Sequence, residues 1–165
     1  RDSLTGLFNR RHLDASISRM EAGRSRRAAP ERDQAAAILF DLDHFGAINK
    51  RLGHAVGDAI LRSFADVLRA RFRGADLVAR FGGEEFVAIL EGVTSDQAAS
   101  IADEIRRSFA DASVPGPDGK PVGATVSAGV AAMAADEERF SDILARADVG
   151  LVMAKRAGRN RVIAA

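Results

Sequence analysis

Residues 80–86 read Arg-Phe-Gly-Gly-Glu-Glu-Phe, two glycines and two adjacent carboxylates between apolar runs at Leu77 to Phe81 and Phe86 to Leu90. Both runs have strand character, so the segment between them must turn the chain back on itself as a hairpin. Adjacent residues of a regular strand point to opposite faces, and only a turn brings Glu84 and Glu85 to one site. The glycines allow that turn, because they accept positive φ and let a bulky ligand lie against the main chain. By themselves the same letters also describe a solvated β-turn with a hydrophilic tip.

Around this hairpin, helix and strand signals alternate. Leu13, Ile17 and Met20 recur at helical spacing, and the polar stretch from Gly23 to Asp33 reads as a loop with a solvated arginine-rich surface. Ala36 to Asp41 is a short apolar run ending in an acid, which suits a buried strand carrying Asp41 to a sheet edge. Phe45 and Ile48 start a short helix. Ile60, Leu61, Phe64, Val67 and Leu68 form the stripe of a longer one, with Asp58 near its start, where negative charge is favourable. Ile101, Ala102, Ile105 and Phe109 mark another helix. Val114 to Val122 is turn chemistry, and a strand begins at Ala124. Ile143, Leu144, Ala147 and Leu151 make a last helix, closed by Gly158 before a short final strand. The expected fold is α/β, one domain over residues 1–165 with a central, mostly antiparallel sheet of about five strands flanked by helices.

The composition narrows the function. With 24 basic and 23 acidic residues the net charge is +1, too little for a nucleic-acid-binding surface. The chain has no cysteine, which excludes disulfides and thiolate metal sites. Its apolar runs are far shorter than a membrane span and it opens on a polar sequence, so it reads as a soluble piece of something longer.

Asp41 and Asp43 flank Leu42 at one strand end, and Glu84 and Glu85 sit at the hairpin tip. If those strands are neighbours, three or four carboxylates converge. Like charges that close raise each other's pKa unless cations neutralise them, and hard oxygen ligands suit magnesium. Magnesium typically binds through one or two carboxylates plus substrate phosphates, which points to a nucleoside triphosphate. Asn49 and Asp58 are placed to hydrogen-bond a base. Lys155 and Arg159, four apart at the end of the last helix, are placed to hold a terminal phosphate, although helix C-termini favour cations for dipole reasons alone.

Four ordered segments, Asp2 to Arg11, Phe40 to Asp58, Arg80 to Phe86 and Ala147 to Val162, resemble the motifs of the GGDEF family of diguanylate cyclases, nearly end to end. The resemblance implies a fold like the palm of polymerases and nucleotide cyclases. It also implies condensation of two GTP molecules into cyclic di-GMP with release of two pyrophosphates, in a head-to-head homodimer. By that resemblance Asp41, the Leu42 carbonyl and Glu84 hold two magnesium ions, with manganese able to substitute, and Glu84 with Glu85 deprotonates the attacking 3′-hydroxyl. Asn49 and Asp58 read the guanine edge. Backbone N–H groups of His44, Phe45 and Gly46, with Lys155 and Arg159, hold the β and γ phosphates. Arg73 and Asp76 have the spacing of the family's inhibitory site for the product cyclic di-GMP. A cytoplasmic location and an N-terminal sensor or stalk outside this chain are implied as well.

Three positions depart from the family pattern. Gly46 stands where a phosphate-stabilising lysine is usual, Lys50 where an acid is common, and Val152 where tyrosine is frequent. Losing a preorganised cationic donor costs on the order of 100- to 1,000-fold in rate. Gly46 therefore opens an alternative, a degenerate domain that binds GTP or cyclic di-GMP without turnover. A third reading is a structural dimerisation domain with a solvated hairpin.

Overall fold

The computed structural model describes residues 1–26, 34–134 and 138–165. Five helices and seven strands follow in the order α1 (Arg10–Ser25), β1 (Ala35–Leu42), α2 (Phe45–Leu52), α3 (His54–Arg71), β2 (Leu77–Arg80), β3 (Glu85–Glu91), α4 (Ser95–Asp111), β4 (Val114–Pro115), β5 (Pro121–Val122), β6 (Val126–Ala132), α5 (Phe140–Arg156) and β7 (Val162–Ala164). Strands β2-β3-β1-β6-β7 form one sheet, antiparallel throughout except for the β6–β7 pair.

The alternation of side chains along β1 builds two cores. Ala36, Ile38, Phe40 and Leu42 face α3 and α4, while Ala35 and Ala37 face the side covered by α1 and α5. The first core centres on Phe64 of α3, which meets Phe40, Phe86 and Phe109 edge-on at centroid distances of 5.5, 4.9 and 4.9 Å, an arrangement aromatic rings prefer. The second holds Leu13, Val87, Ile89, Phe140, Ile143 and Ala147. Asp41 and Glu85 share the odd parity of this second face, so both carboxylates point toward α5 rather than into the phenylalanine core.

Helix α5 lies unusually close to β6. A Cβ on Gly129 would sit 1.9 Å from the Ala147 carbonyl oxygen and 2.3 Å from the Leu151 nitrogen, and one on Gly150 would sit 2.7 Å from the Ile163 carbonyl oxygen. Two glycines facing each other let helix and strand touch backbone to backbone.

Three expectations change. The loop expected from Gly23 begins later, because α1 continues to Ser25, and residues 27–33 of that stretch lie outside the described residues. Helix α3 starts at His54, so its first turn carries no acid and Asp58 sits a full turn in. The turn-rich segment from Val114 to Val122 closes on itself as a two-stranded ribbon, β4 with β5. Among the described residues, no helix is long and apolar enough to cross a membrane.

Replacing Gly129 with alanine forces a methyl group into the α5 backbone. Overpacking of this kind costs about 1–3 kcal/mol and occasionally more, and backbone on both sides leaves little room to relax. Thermal denaturation of Gly129→Ala is expected to show a loss at or above that range, whereas Gly74→Ala, where an added Cβ meets nothing within 4 Å, is expected to change little.

Candidate active site

Strand pairing brings the acids together. Asp41 is the direct cross-strand partner of Glu85, and the Leu42 N–H donates to the Glu84 carbonyl at 3.2 Å. Like charges opposite each other on a sheet are destabilising. Burial pushes the Asp41 carboxyl above its usual range, and Glu84 and Asp43 push the same way against the partial relief of Lys155. Glu85 is raised too, by burial first and then by Asp41, Glu84 and Asp148. The neighbouring cation is Lys155, whose Nζ lies 2.8 Å from Asp41 Oδ1. Position 155 on α5 is thus a counter-charge inside the acidic site, not a dipole-stabilising cation in solvent.

Asp43 has a different task from the other acids. Its Oδ1 accepts from Ser127 Oγ at 2.6 Å, and its Oδ2 from Thr125 Oγ1 at 2.7 Å and the Asn160 N–H at 3.0 Å. These bonds tie the end of β1 to β6 and to the loop after α5. Arg159, expected at the end of the helix, lies beyond it in that loop, where Arg159 and Asn160 both take positive φ, 65° and 47°.

Between β1 and α2 the chain reverses through His44, a non-glycine residue with φ 56°. No side chain caps α2, so its first N–H groups, at Phe45 and Gly46, remain available to an anion. Gly46 has no positive φ and an added Cβ there meets nothing within 4 Å, so the glycine is not a backbone requirement. Further along α2, Asn49 Oδ1 is buried without a hydrogen-bond partner. Gly57 makes its room, since a Cβ at 57 would sit 1.7 Å from that oxygen. Asp58 follows, half-buried, on the first turns of α3.

Arg73 and Asp76 lie in the turn before β2, at the opposite end of that strand from the hairpin. The Asp76 carboxylate accepts the Arg73 backbone N–H at 3.2 Å. They border a cleft of about 440 Å³ with Arg1, Arg69, Phe8 and Phe72.

The profile of the family described as "Diguanylate cyclase, GGDEF domain" matches residues 1–161. The chain belongs to the GGDEF family. It is 37% identical over 163 residues to the response regulator PleD of Caulobacter vibrioides, which covers 98% of this chain and 35% of PleD, about a third of that protein's length. The GGDEF domain of DgcB from Caulobacter crescentus, solved in complex with c-di-GMP, superposes with a TM-score of 0.90 at 32% identity over 99% of this chain and 94% of that one. An active GGEEF domain of a diguanylate cyclase from Vibrio cholerae, with the same signature letters, superposes at 0.83 with 32% identity over 96% and 97%. The expected α/β fold is therefore that of solved GGDEF domains.

GGDEF diguanylate cyclases use metal ions, and the acids of this GGDEF domain fit one in a particular way. Among the described residues, no three carboxylate or histidine groups converge into a ready-made cation site. What is present is a surplus of negative charge at Asp41, Glu84 and Glu85 against a single ammonium. Such a donor set suits a cation that also takes phosphate oxygens from a substrate.

Several positioning residues of the GGDEF domain had no signal in the sequence reading. Gly57 admits the Asn49 side chain, Thr125 and Ser127 hold Asp43, and Arg80 braces the hairpin. Arg80 Nε and Nη2 donate to the Gly83 carbonyl at 3.0 and 2.7 Å, while Nη1 reaches Asp2 Oδ1 and Oδ2 at 3.2 and 3.3 Å. Asp2 also accepts from the Thr5 N–H and Oγ1 at 2.8 and 2.7 Å.

The brace is pH-sensitive with a defined sign. Burial opposes the charge on Asp2, but the Thr5 bonds and then Arg80 outweigh it and hold the carboxyl below its usual range. A depressed folded pKa gives stability that is complete above the unfolded value and is lost as pH falls through the folded one. Arg80→Ala is expected to lose about 1–3 kcal/mol at neutral pH. Acidification below about pH 4 should narrow the gap between variant and parent, read from denaturant unfolding across pH.

Proposed function

We propose that this domain is a diguanylate cyclase, joining two GTP molecules into cyclic di-GMP with release of two pyrophosphates in a head-to-head dimer. The observation that carries the reading is the pairing of Asp41 with Glu85 beside Glu84, across from the uncapped start of α2. In this arrangement the N–H groups of Phe45 and Gly46 receive the β and γ phosphates, and Lys155 and Arg159 approach them from the side of α5. Asn49, with its unpartnered oxygen, and Asp58 accept from the guanine edge. Asp41, Glu84 and the Leu42 carbonyl hold magnesium, which when bound neutralises the acids and the charge on the reacting phosphate. Glu85, with its raised pKa, is matched to take the proton from the 3′-hydroxyl, with Glu84 beside it. Each domain holds one GTP, so bond formation requires two to meet. GTP as substrate implies a cytoplasmic setting.

Incubation with GTP and magnesium at several protein concentrations, with products separated by chromatography, tests the proposal. Cyclic di-GMP is expected, at a rate that rises more steeply than linearly with concentration. Asp41→Asn and Glu84→Gln are expected to lose at least about 100-fold, since each removes a charge the cations require. Full activity in either would place the metal elsewhere.

The second reading, a binding module without turnover, rests on Gly46, which leaves the first turn of α2 without a cation. Because the position is open and helical, Gly46→Lys is expected to fold. The gain in helix propensity, about 0.5–1 kcal/mol, is roughly offset by placing a cation at a helix N-terminus. On the enzyme reading, turnover rises severalfold with little change in GTP affinity, because the added contact acts mainly in the transition state. GTP binding with no product from parent or variant supports the second reading.

The cleft at Arg73 is proposed as an inhibitory site for cyclic di-GMP, whose phosphates and guanines suit an arginine-lined groove. Arg73→Ala is expected to relieve product inhibition at least severalfold while leaving GTP affinity unchanged. Unaltered sensitivity in an inhibition titration removes this assignment.

A further inference from the structure

The large hydrophobic side chains exposed among the described residues are Val149 (54%), Met153 (51%) and Val152 (40%), and all three lie on α5. Together with the exposed Ala145 they follow the i, i+4, i+7, i+8 spacing of a single helix face. The opposite side of α5, including Ile143, Ala147 and Leu151, is already buried. A helix that only covers a sheet needs one apolar side, whereas α5 has two. Its outward side is also polarised, with exposed Asp142 toward the N-terminus and exposed Arg156 at the C-terminus.

We propose that this outward face is a self-association surface whose occupant is α5 of a second copy, running antiparallel about a two-fold axis at Val149. In that register Val149 meets its own counterpart. Ala145 of each copy lies opposite Met153 of the other, small against large, and Asp142 lies opposite Arg156, acid against base. A parallel pairing would instead set like against like. The antiparallel arrangement is self-complementary, as a two-fold contact must be. The stripe spans about 12 Å of helix, so it is narrower than the roughly 800 Å² per partner of a standard interface. The pairing is therefore weak and reversible, and it strengthens wherever other contacts hold two copies together. It includes none of Asp41, Glu84, Glu85 and Lys155 and needs no nucleotide.

The test is sedimentation velocity of the 165-residue chain without nucleotide, over about a hundredfold range of concentration chosen to reveal a small interface. A concentration-dependent dimer is expected. Val149→Asp, exposed and on the axis, weakens it about tenfold or more by setting two carboxylates face to face. Arg156→Asp also weakens it, whereas Arg156→Lys, which keeps the charge, leaves it in place. Because the chain has no cysteine, Val149→Cys supplies a single thiol, and mild oxidation is expected to link two copies faster than in Ser100→Cys on α4. Unchanged melting temperatures separate these effects from misfolding. A monomer at every concentration, a dimer indifferent to Val149→Asp, or equal linking rates at positions 149 and 100 would each overturn the proposal.

Discussion

The contact between Gly129 of β6 and Gly150 of α5 sets the position of most of what matters chemically. Side chains with any bulk at both positions would collide with the facing backbone and hold the helix off the sheet. With both reduced to hydrogen, α5 sits close enough for Lys155 to meet Asp41 at 2.8 Å. The chain leaving the helix then returns to the sheet as β7, and on the way its Asn160 N–H bonds Asp43. Helix, counter-charge and loop all meet the sheet through this one close approach.

The site conflicts with the stability of the fold that carries it. A cross-strand pair of carboxylates, one of them buried, is a poor choice for holding β1 to β3, and the raised pKa values of Asp41 and Glu85 express that conflict. The fold tolerates it because the even positions of the same strands are fixed independently in the phenylalanine core around Phe64. Both faces carry an apolar core, and the charge is confined to the end of the face that α1 and α5 cover. Such strain is typical of sites awaiting a cation or substrate.

Much of this was legible in the sequence, for physical reasons that differ by element. Strand β1 and the β2–β3 hairpin were readable because apolar runs bounded by glycine and acid have few alternatives, and their adjacency made the approach of Asp41 to Glu85 foreseeable, although the expected convergence of three or four carboxylates is not found among the described residues. Helices α3, α4 and α5 followed from their apolar period, with Gly158 closing the last. The start of α3 was missed by a turn because His54 and Ala55 add nothing apolar to the stripe. The ribbon of β4 and β5 was missed because two-residue strands fall below any periodic signal. The partners of Asp43 and Lys155 had no sequence signal: an acid or a lysine shows its charge but not its partner, and Ser127, Thr125 and Asp41 are distant along the chain. The room that Gly57 makes for Asn49 is likewise a three-dimensional fact with no local signature.

The brace through Arg80 ties the turn at Asp2 to the Gly82–Gly83 hairpin. Loosening residues 2–5 would release a guanidinium that also holds the Gly83 carbonyl. Coupling of this kind runs in both directions with equal free energy. Whatever rigidifies the hairpin must slow amide exchange at Thr5 and Leu7, and whatever displaces the Asp2 turn must loosen Gly83. The two segments behave as a balance with Arg80 as its beam, so the state of one end can be read at the other.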